Sequence, residues 1–330
     1  MRICIYGAGS IGAYIGSELS LSGADVTLIA RGQHFEAMRS KGLRVRIGSE
    51  EKISYPKCVS NPDEAGKQDY VFITLKTHSS AKSANSLAPL IDSDTCVVTA
   101  QNGIPWWYFY NLNGPWKNYQ VKSVDPDGNQ WTKIGPERVI GSVIYPAAEI
   151  VEPGVIALLP HLSQKRMPIG EPNGDNSKRV IELSKALISA GFKSPIRKDI
   201  RSDIWMKLWG NLAFNPISAL THASLKDIAG NPGTRSVARI MMLEGMAVAE
   251  KLGVKFNIDI DQRIAGAESV GHHRTSMLQD LILERPMEID ALVGSISEIG
   301  KLVSIPTPMI DTIYSLIKQR SENLAVTKSI

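Results

Sequence analysis

Within its first twelve residues the chain passes from a short apolar run, 2–6, into Gly7-Ala8-Gly9-Ser10-Ile11-Gly12. Few chain geometries accept that Gly-x-Gly-x-x-Gly spacing. The first glycine allows a tight turn, the second lets backbone approach a pyrophosphate, and the third lets a helix pack on a strand. The helix that follows offers free N–H groups and the positive end of its dipole to an anion. Alone the pattern is weak, because glycine-rich strand-to-helix turns also occur in α/β proteins that bind nothing. Here the context fits: a helical pattern follows, stops at Ser22-Gly23, and a second apolar run begins after Asp25. The reading is a dinucleotide-binding turn made by Gly7, Ala8, Gly9, Ser10, Ile11 and Gly12.

The first half of the chain continues this alternation. Strands are expected at 26–30, 70–75 and 96–100, a smaller ribbon at 42–47 and 52–55, and further strands at 139–145, 155–159 and 166–169. Asn113-Gly114-Pro115 and Asp125-Pro126-Asp127-Gly128 mark 111–137 as loops and hairpins. A helix over 177–190 is stopped by Gly191. From about Asp199 helical periodicity replaces the alternation, which places a boundary near 198. The expectation is an α/β Rossmann domain over 1–198 and an all-helical domain over 199–330, with 322–330 a frayed end.

At 330 residues there is chain enough for two cores. The net charge of +4 suits anionic ligands, but no basic tract of the kind nucleic-acid binding needs is present. No apolar run reaches membrane-spanning length. Cys4, Cys58 and Cys96 are scattered without CxxC spacing and read as buried free thiols of a reducing compartment. With no basic leader region at the amino terminus, the expectation is a cytoplasmic protein. The histidines offer only the adjacent pair His272-His273, a poor chelator without further ligands, so no metal is expected.

An NAD site usually carries a carboxylate at the end of the second strand, to hold the ribose 2′-hydroxyl. Here that strand ends Leu28-Ile29-Ala30-Arg31-Gly32. A guanidinium can pair with a 2′-phosphate in bidentate fashion, and Asp25 stands at the wrong end of the strand, so NADP is favoured over NAD. A solvated loop arginine is the plainer alternative.

In the second half, Asp203 is placed to cap a largely apolar helix over 204–218. Lys207, Asn211, Asn215 and Ser218 fall at i, i+4, i+8 and i+11, a stripe roughly 80° wide at about 100° per residue. A lysine and two amides facing an apolar core would be costly without partners, whereas a cleft would give them a polar ligand. A solvent-facing stripe is the alternative. Pro216 removes the hydrogen bond to the Leu212 carbonyl and should kink the helix. Farther on, Pro286 suits the first turn of a new helix. Glu288 then lies in that first turn at the edge of the apolar face, with Asp290 pointing away. Glu288 is the better candidate to enter a cleft; an ordinary N-terminal helix carboxylate is the alternative.

Taken together, these residues resemble the ketopantoate reductase (2-dehydropantoate 2-reductase) family over nearly the whole chain. The likeness rests on the glycine motif, Arg31, Lys76 in Thr-Leu-Lys and Asn102 in Gln-Asn-Gly. It continues through Lys207-x-x-x-Asn211-x-x-x-Asn215-Pro216 and the block from Ser276-Met277-Leu278-Gln279-Asp280 to Glu288-Ile289-Asp290. The last two stretches are the specific ones. The resemblance implies a Rossmann domain and a helical domain of the 6-phosphogluconate dehydrogenase C-terminal-like type, with an active site in the cleft between them. It implies NADPH-dependent reduction of a 2-oxo acid to a 2-hydroxy acid in pantothenate biosynthesis. By that carry-over Lys207 is the general acid, Glu288 holds a substrate hydroxyl and Ser276 contacts the substrate carboxylate. Asn211 orients the substrate, with Asn215 beside it on the stripe. Asn102 places substrate and nicotinamide, and Lys76 sits near the cofactor. The partner is then a small 2-oxo acid, and a homodimer is left open.

Two departures bear on the substrate. An aromatic run, 106–110, and the turn-rich stretch after it follow Asn102-Gly103, and His273 stands where the family pattern has asparagine. Aromatic rings beside the nicotinamide would wall a pocket for a bulkier or more apolar substrate; the alternative is core or dimer-interface packing. A 3-hydroxyacid dehydrogenase of the 6-phosphogluconate type is a rival reading, but Ile200-Arg201-Ser202-Asp203 stands where that family has a glycine-rich run. A non-catalytic NADP-sensing module would need the cofactor site without Lys207 and Glu288 together.

Overall fold

The computed structural model describes residues 1–159 and 164–327. They form two compact units that are not separated by a single cut. The first comprises Met1–Gln101, Trp106–Gln120 and Asp127–Ile200; the second comprises Asn102–Pro105, Val121–Pro126 and the chain from Arg201 onward. In chain order the first holds β1 (Arg2–Tyr6), α1 (Ser10–Leu21), β2 (Asp25–Ile29), α2 (Gly32–Lys41), β3 (Leu43–Ile47), β4 (Glu50–Ser54), β5 (Lys57–Val59) and β6 (Tyr70–Ile73). It continues with α3 (Thr77–Ser83), β7 (Cys96–Thr99), α4 (Asn129–Lys133), β8 (Val139–Ser142), β9 (Ala148–Glu152), β10 (Val155–Leu158), β11 (Ile169–Gly170) and α5 (Lys178–Ser189).

The larger sheet has the order β11-β8-β7-β6-β1-β2-β5. Its neighbours are parallel from β8 through β5, and β11 pairs antiparallel with β8. The succession of strands reverses between β1 and β6, the kind of switch point outside which open α/β sheets bind ligands. Ile3, Ile5, Val71, Phe72, Val97 and Val98 are fully buried. These central strands are covered on both faces, so they read as continuous apolar runs rather than alternating ones.

The expected ribbon at 42–47 and 52–55 is the β3–β4 hairpin of a second sheet, β4-β3-β10-β9. Helix α1 packs against β1 and β2 and also against β3, β4 and β9. It is therefore buried from Gly12 to Leu19, and its polar residues need internal partners. Ser17 Oγ lies 2.9 Å from Ser54 Oγ. The buried Glu18 carboxylate pairs with Lys165 and, at 3.7 Å, with Lys52.

The aromatic run has a structural place. Trp106, Trp107, Tyr108 and Phe109 are at most 2% exposed. Trp107 Nε1 donates to Thr99 Oγ1 (2.9 Å), Trp106 meets Trp131 edge to face, and Phe109 meets Tyr119 likewise. These four rings fill the core of the first unit, which corrects the expected aromatic wall to core packing there, while Tyr110 stays half-buried against Trp131.

The helical unit contains α6 (Ile200–Thr221), α7 (Leu225–Gly230), α8 (Pro232–Lys251), α9 (Ile260–Ser269), α10 (Ser276–Ile282), a π-helical turn (Asp290–Gly294), α11 (Ser295–Leu302) and α12 (Pro308–Thr327). Helix α6 starts three residues before the expected cap, so Asp203 sits in its first turn, and it continues through Pro216. Trp205, Trp209, Leu212 and Ala213 are fully buried; Trp209 Nε1 donates to the Met242 carbonyl, and Gly245 of α8 makes room for Leu212. Glu244 of α8 accepts the Met309 and Ile310 N–H groups and so caps α12. That helix holds to Thr327, so the expected fraying from 322 is not seen; 328–330 lie outside the described residues.

The expected helix start at Pro286 is also corrected. Helix α10 ends in a turn with Glu284 at φ +52° and Arg285 N–H bonded to the Asp280 carbonyl. The chain then runs non-helically through Glu288, whose carbonyl accepts the Leu292 N–H at 3.2 Å. Helical conformation starts at Ile289, so Glu288 stands just ahead of the first turn rather than within it.

Candidate active site

The glycine turn closes at the carboxyl end of β1. Gly7 has φ +108°, the left-handed side that side chains disfavour, and its carbonyl accepts the Thr74 hydroxyl at 2.7 Å. A Cβ on Gly12 would lie 2.5 Å from both the Gly7 oxygen and Thr74 Oγ1, whereas one on Gly9 would meet nothing within 4 Å. Gly12 thus serves close packing, and Gly9 leaves open space beside the start of α1. No side chain caps that start and its first turn carries no acidic residue, so it stays suited to an anion. Ala8 is buried, while Ser10 and Ile11 are half-buried at the first positions of α1. Arg31 is exposed, immediately before α2, and Asp25 begins β2 at the opposite end. Lys76, half-buried, immediately precedes α3. One residue the motif reading passed over is His34, whose Nδ1 accepts the Gly154 N–H at 2.9 Å and whose pKa burial lowers.

In the helical unit, three residues far apart in sequence meet. Lys207 Nζ donates to Asn102 Oδ1 at 2.7 Å, and Asn102 Nδ2 reaches Glu288 Oε2 at 3.4 Å. A lysine offers only donors and a carboxylate only acceptors, so the amide must turn its oxygen to Lys207 and its nitrogen to Glu288. The ammonium is densely enclosed although its side chain keeps some exposure. Desolvation is the larger influence on it and pushes its pKa down to about 8, and the attraction of Glu288 opposes that fall. An ammonium held by an amide and opposed by a carboxylate in this way is a group whose ionisation burial has shifted toward neutrality, as at many functional sites.

The rest of the stripe divides. Asn211 is half-buried and Asn215 is buried one and two turns after Lys207. Ser218 donates to the Ala223 carbonyl, a local bond at the end of the helix. Ser276 is exposed as the first residue of α10, behind the Thr275 cap. Asp290 accepts hydrogen bonds from Tyr314 and Lys318 of α12. His273 takes a backbone role here: its carbonyl accepts the Leu225 N–H. Among the described residues no cluster of three His, Cys, Asp or Glu side chains is arranged to hold a metal, and no helix is long and apolar enough to cross a membrane.

A Rossmann-type sheet with an open glycine turn, followed by a helical unit carrying a half-buried lysine–amide–carboxylate chain, defines a class of two-unit α/β proteins. Two family models cover most of the chain: Ketopantoate reductase PanE/ApbA over residues 3–107 and Ketopantoate reductase PanE/ApbA C terminal over residues 199–321. The chain belongs to the ketopantoate reductase family. It is 49% identical over 320 residues to the 2-dehydropantoate 2-reductase of Mesorhizobium japonicum, with 97% of each chain covered. It is 31% identical to that of Pyrococcus horikoshii, again with 97% of each covered. Among solved structures, a provisionally named ketopantoate reductase from Ralstonia solanacearum MolK2 matches with TM-score 0.92 and 35% identity, over 98% of both chains.

Proposed function

We propose that the protein is an NADPH-dependent 2-dehydropantoate 2-reductase, reducing the 2-oxo acid to its 2-hydroxy acid in the supply of pantothenate. The observation that carries this reading is the Lys207–Asn102–Glu288 chain. The 49% identity to a protein of that name, nearly end to end, supports the substrate assignment. The open Gly9, the close-packed Gly12 and the uncapped start of α1 fit a dinucleotide pyrophosphate, and Arg31 with no carboxylate at the end of β2 fits a 2′-phosphate. Gly7, Ala8, Gly9, Ser10, Ile11, Gly12, Arg31 and Lys76 would hold the cofactor, whose reduced nicotinamide supplies the hydride.

Negative charge builds on the substrate carbonyl oxygen as it is reduced. Lys207, aimed at that oxygen, stabilises the charge and gives up its proton to form the hydroxyl. Asn102 fixes the direction of the ammonium. Glu288 favours the charged form of that ammonium against burial and accepts a hydrogen bond from a substrate hydroxyl. Asn211, Asn215 and Ser276 complete the polar face toward the substrate, Ser276 for its carboxylate. Buried free thiols at Cys4 and Cys96 accord with a cytoplasmic enzyme. With the aromatic run absorbed into the core, the compact, hydroxylated 2-dehydropantoate is preferred over aromatic 2-oxo acids. The test is NADPH oxidation against a panel of 2-oxo acids. We expect kcat/KM to be highest for 2-dehydropantoate; a higher value for an aromatic or branched 2-oxo acid, or no turnover on any of them, would overturn the assignment.

A further inference from the structure

The π-helical turn after Glu288 has a consequence for Asn102. In an α-helix the carbonyl of Ala291 would accept the N–H of Ser295, four residues on. Here the Ser295 N–H goes instead to the Asp290 carbonyl, five residues back. The Ala291 carbonyl accepts the Ser295 hydroxyl at 2.8 Å and, from the other end of the sequence, the Ile104 N–H at 3.1 Å. Gly103 lies against the same carbonyl. It has φ +87°, and a Cβ there would stand 2.2 Å from the Ala291 oxygen. One turn farther, Glu298 of α11 accepts the Lys122 and Ser123 N–H groups, each at 2.7 Å, and so ties down the second short excursion, Val121–Pro126. The π-turn and α11 together hold both excursions of the N-terminal chain in the helical unit. π-bulges are rare and recur at functional sites.

We propose that the redirected Ala291 carbonyl is the anchor that sets Asn102 between Lys207 and Glu288, with Ser295 and Gly103 as positioning residues for the reduction. The fully buried Ser295 hydroxyl, 0% exposed, orients that carbonyl toward the Ile104 N–H. The missing side chain of Gly103 allows the backbone approach. Both act through Asn102. This inference rests on the reading of Lys207 as the acid, yet it has its own test.

The Ser295→Ala, Ser295→Thr and Gly103→Ala proteins would be compared with wild type. Turnover would be measured as kcat and KM, and Lys207 ionisation as the pH dependence of its acetylation rate, read by mass spectrometry without turnover. Loss of the Asn102 acceptor disfavours the ammonium, so Ser295→Ala should shift Lys207 ionisation to lower pH and lower kcat about fivefold, the scale of one buried hydrogen bond. KM should change little. Ser295→Thr, which keeps the hydroxyl, should restore both, and Gly103→Ala should reproduce the defect more strongly. Unshifted Lys207 ionisation in folded Ser295→Ala and Gly103→Ala proteins would overturn the proposal, whatever the turnover. A shift without any effect of Lys207→Ala on turnover would keep the positioning and remove the role of Lys207 as acid.

Discussion

At the scale of single residues the decisive balance is at Lys207, where burial lowers the pKa to about 8 and Glu288 limits the fall. The sign for catalysis follows directly. With Lys207 as the proposed acid, reduction needs the ammonium, so kcat/KM should be level below about pH 8 and fall about tenfold per unit above it. Glu288→Gln removes the opposing charge, so the break should move to lower pH. A break that stays in place in the variant would show that Glu288 does not face the ammonium in the working enzyme. Cofactor choice is a second residue-scale matter. Arg31→Ala should raise the KM for NADPH far more than that for NADH; a wild-type preference for NADH would contradict the assignment of Arg31 to the 2′-phosphate.

Among the elements, the glycine turn was legible because each glycine has a separate physical reason, and the local geometry fits them: a left-handed φ at Gly7, open space at Gly9 and close packing at Gly12. Gly12→Ala forces a methyl group against the Gly7 carbonyl and Thr74, strain on the scale of 1–3 kcal/mol. NADPH affinity measured by calorimetry should fall about tenfold or more. Unchanged binding would mean that the turn does not hold the cofactor. The polar stripe of α6 was legible for a similar reason: helical period alone puts Lys207, Asn211 and Asn215 on one face. The start of the Glu288 helix was not. Proline favours a first turn, but here the α10 cap delivers 285–288 non-helically, and that tertiary choice leaves no local mark. The aromatic run was ambiguous because rings look alike in sequence whether they line a pocket or fill a core. Trp107→Ala should destabilise the protein by about 3–5 kcal/mol in urea unfolding, and the order of preference among 2-oxo acids should stay as in wild type. Normal stability with a changed preference would return the aromatic run to the substrate pocket.

For the molecule as a whole, fold class followed from the change from strand–helix alternation to helical periodicity near residue 198, and the family match bears that class out. Sequence order hid the exchange of Asn102–Pro105 and Val121–Pro126 into the helical unit. Asn102 meets Glu288 across 186 positions of chain, and no local pattern announces such a contact. The family resemblance supplied Asn102 as a candidate; the geometry supplies its place, between the only-donor lysine and the only-acceptor carboxylate. In the mechanism proposed above, this trio performs proton donation in the reduction of 2-dehydropantoate. Its most direct test is NADPH oxidation with 2-dehydropantoate by wild-type and Lys207→Ala proteins, with NADPH affinity measured on both. We expect Lys207→Ala to lower kcat about 10²-fold or more with NADPH affinity nearly intact, the usual scale of general acid catalysis. Near-normal turnover by a folded Lys207→Ala protein would contradict it.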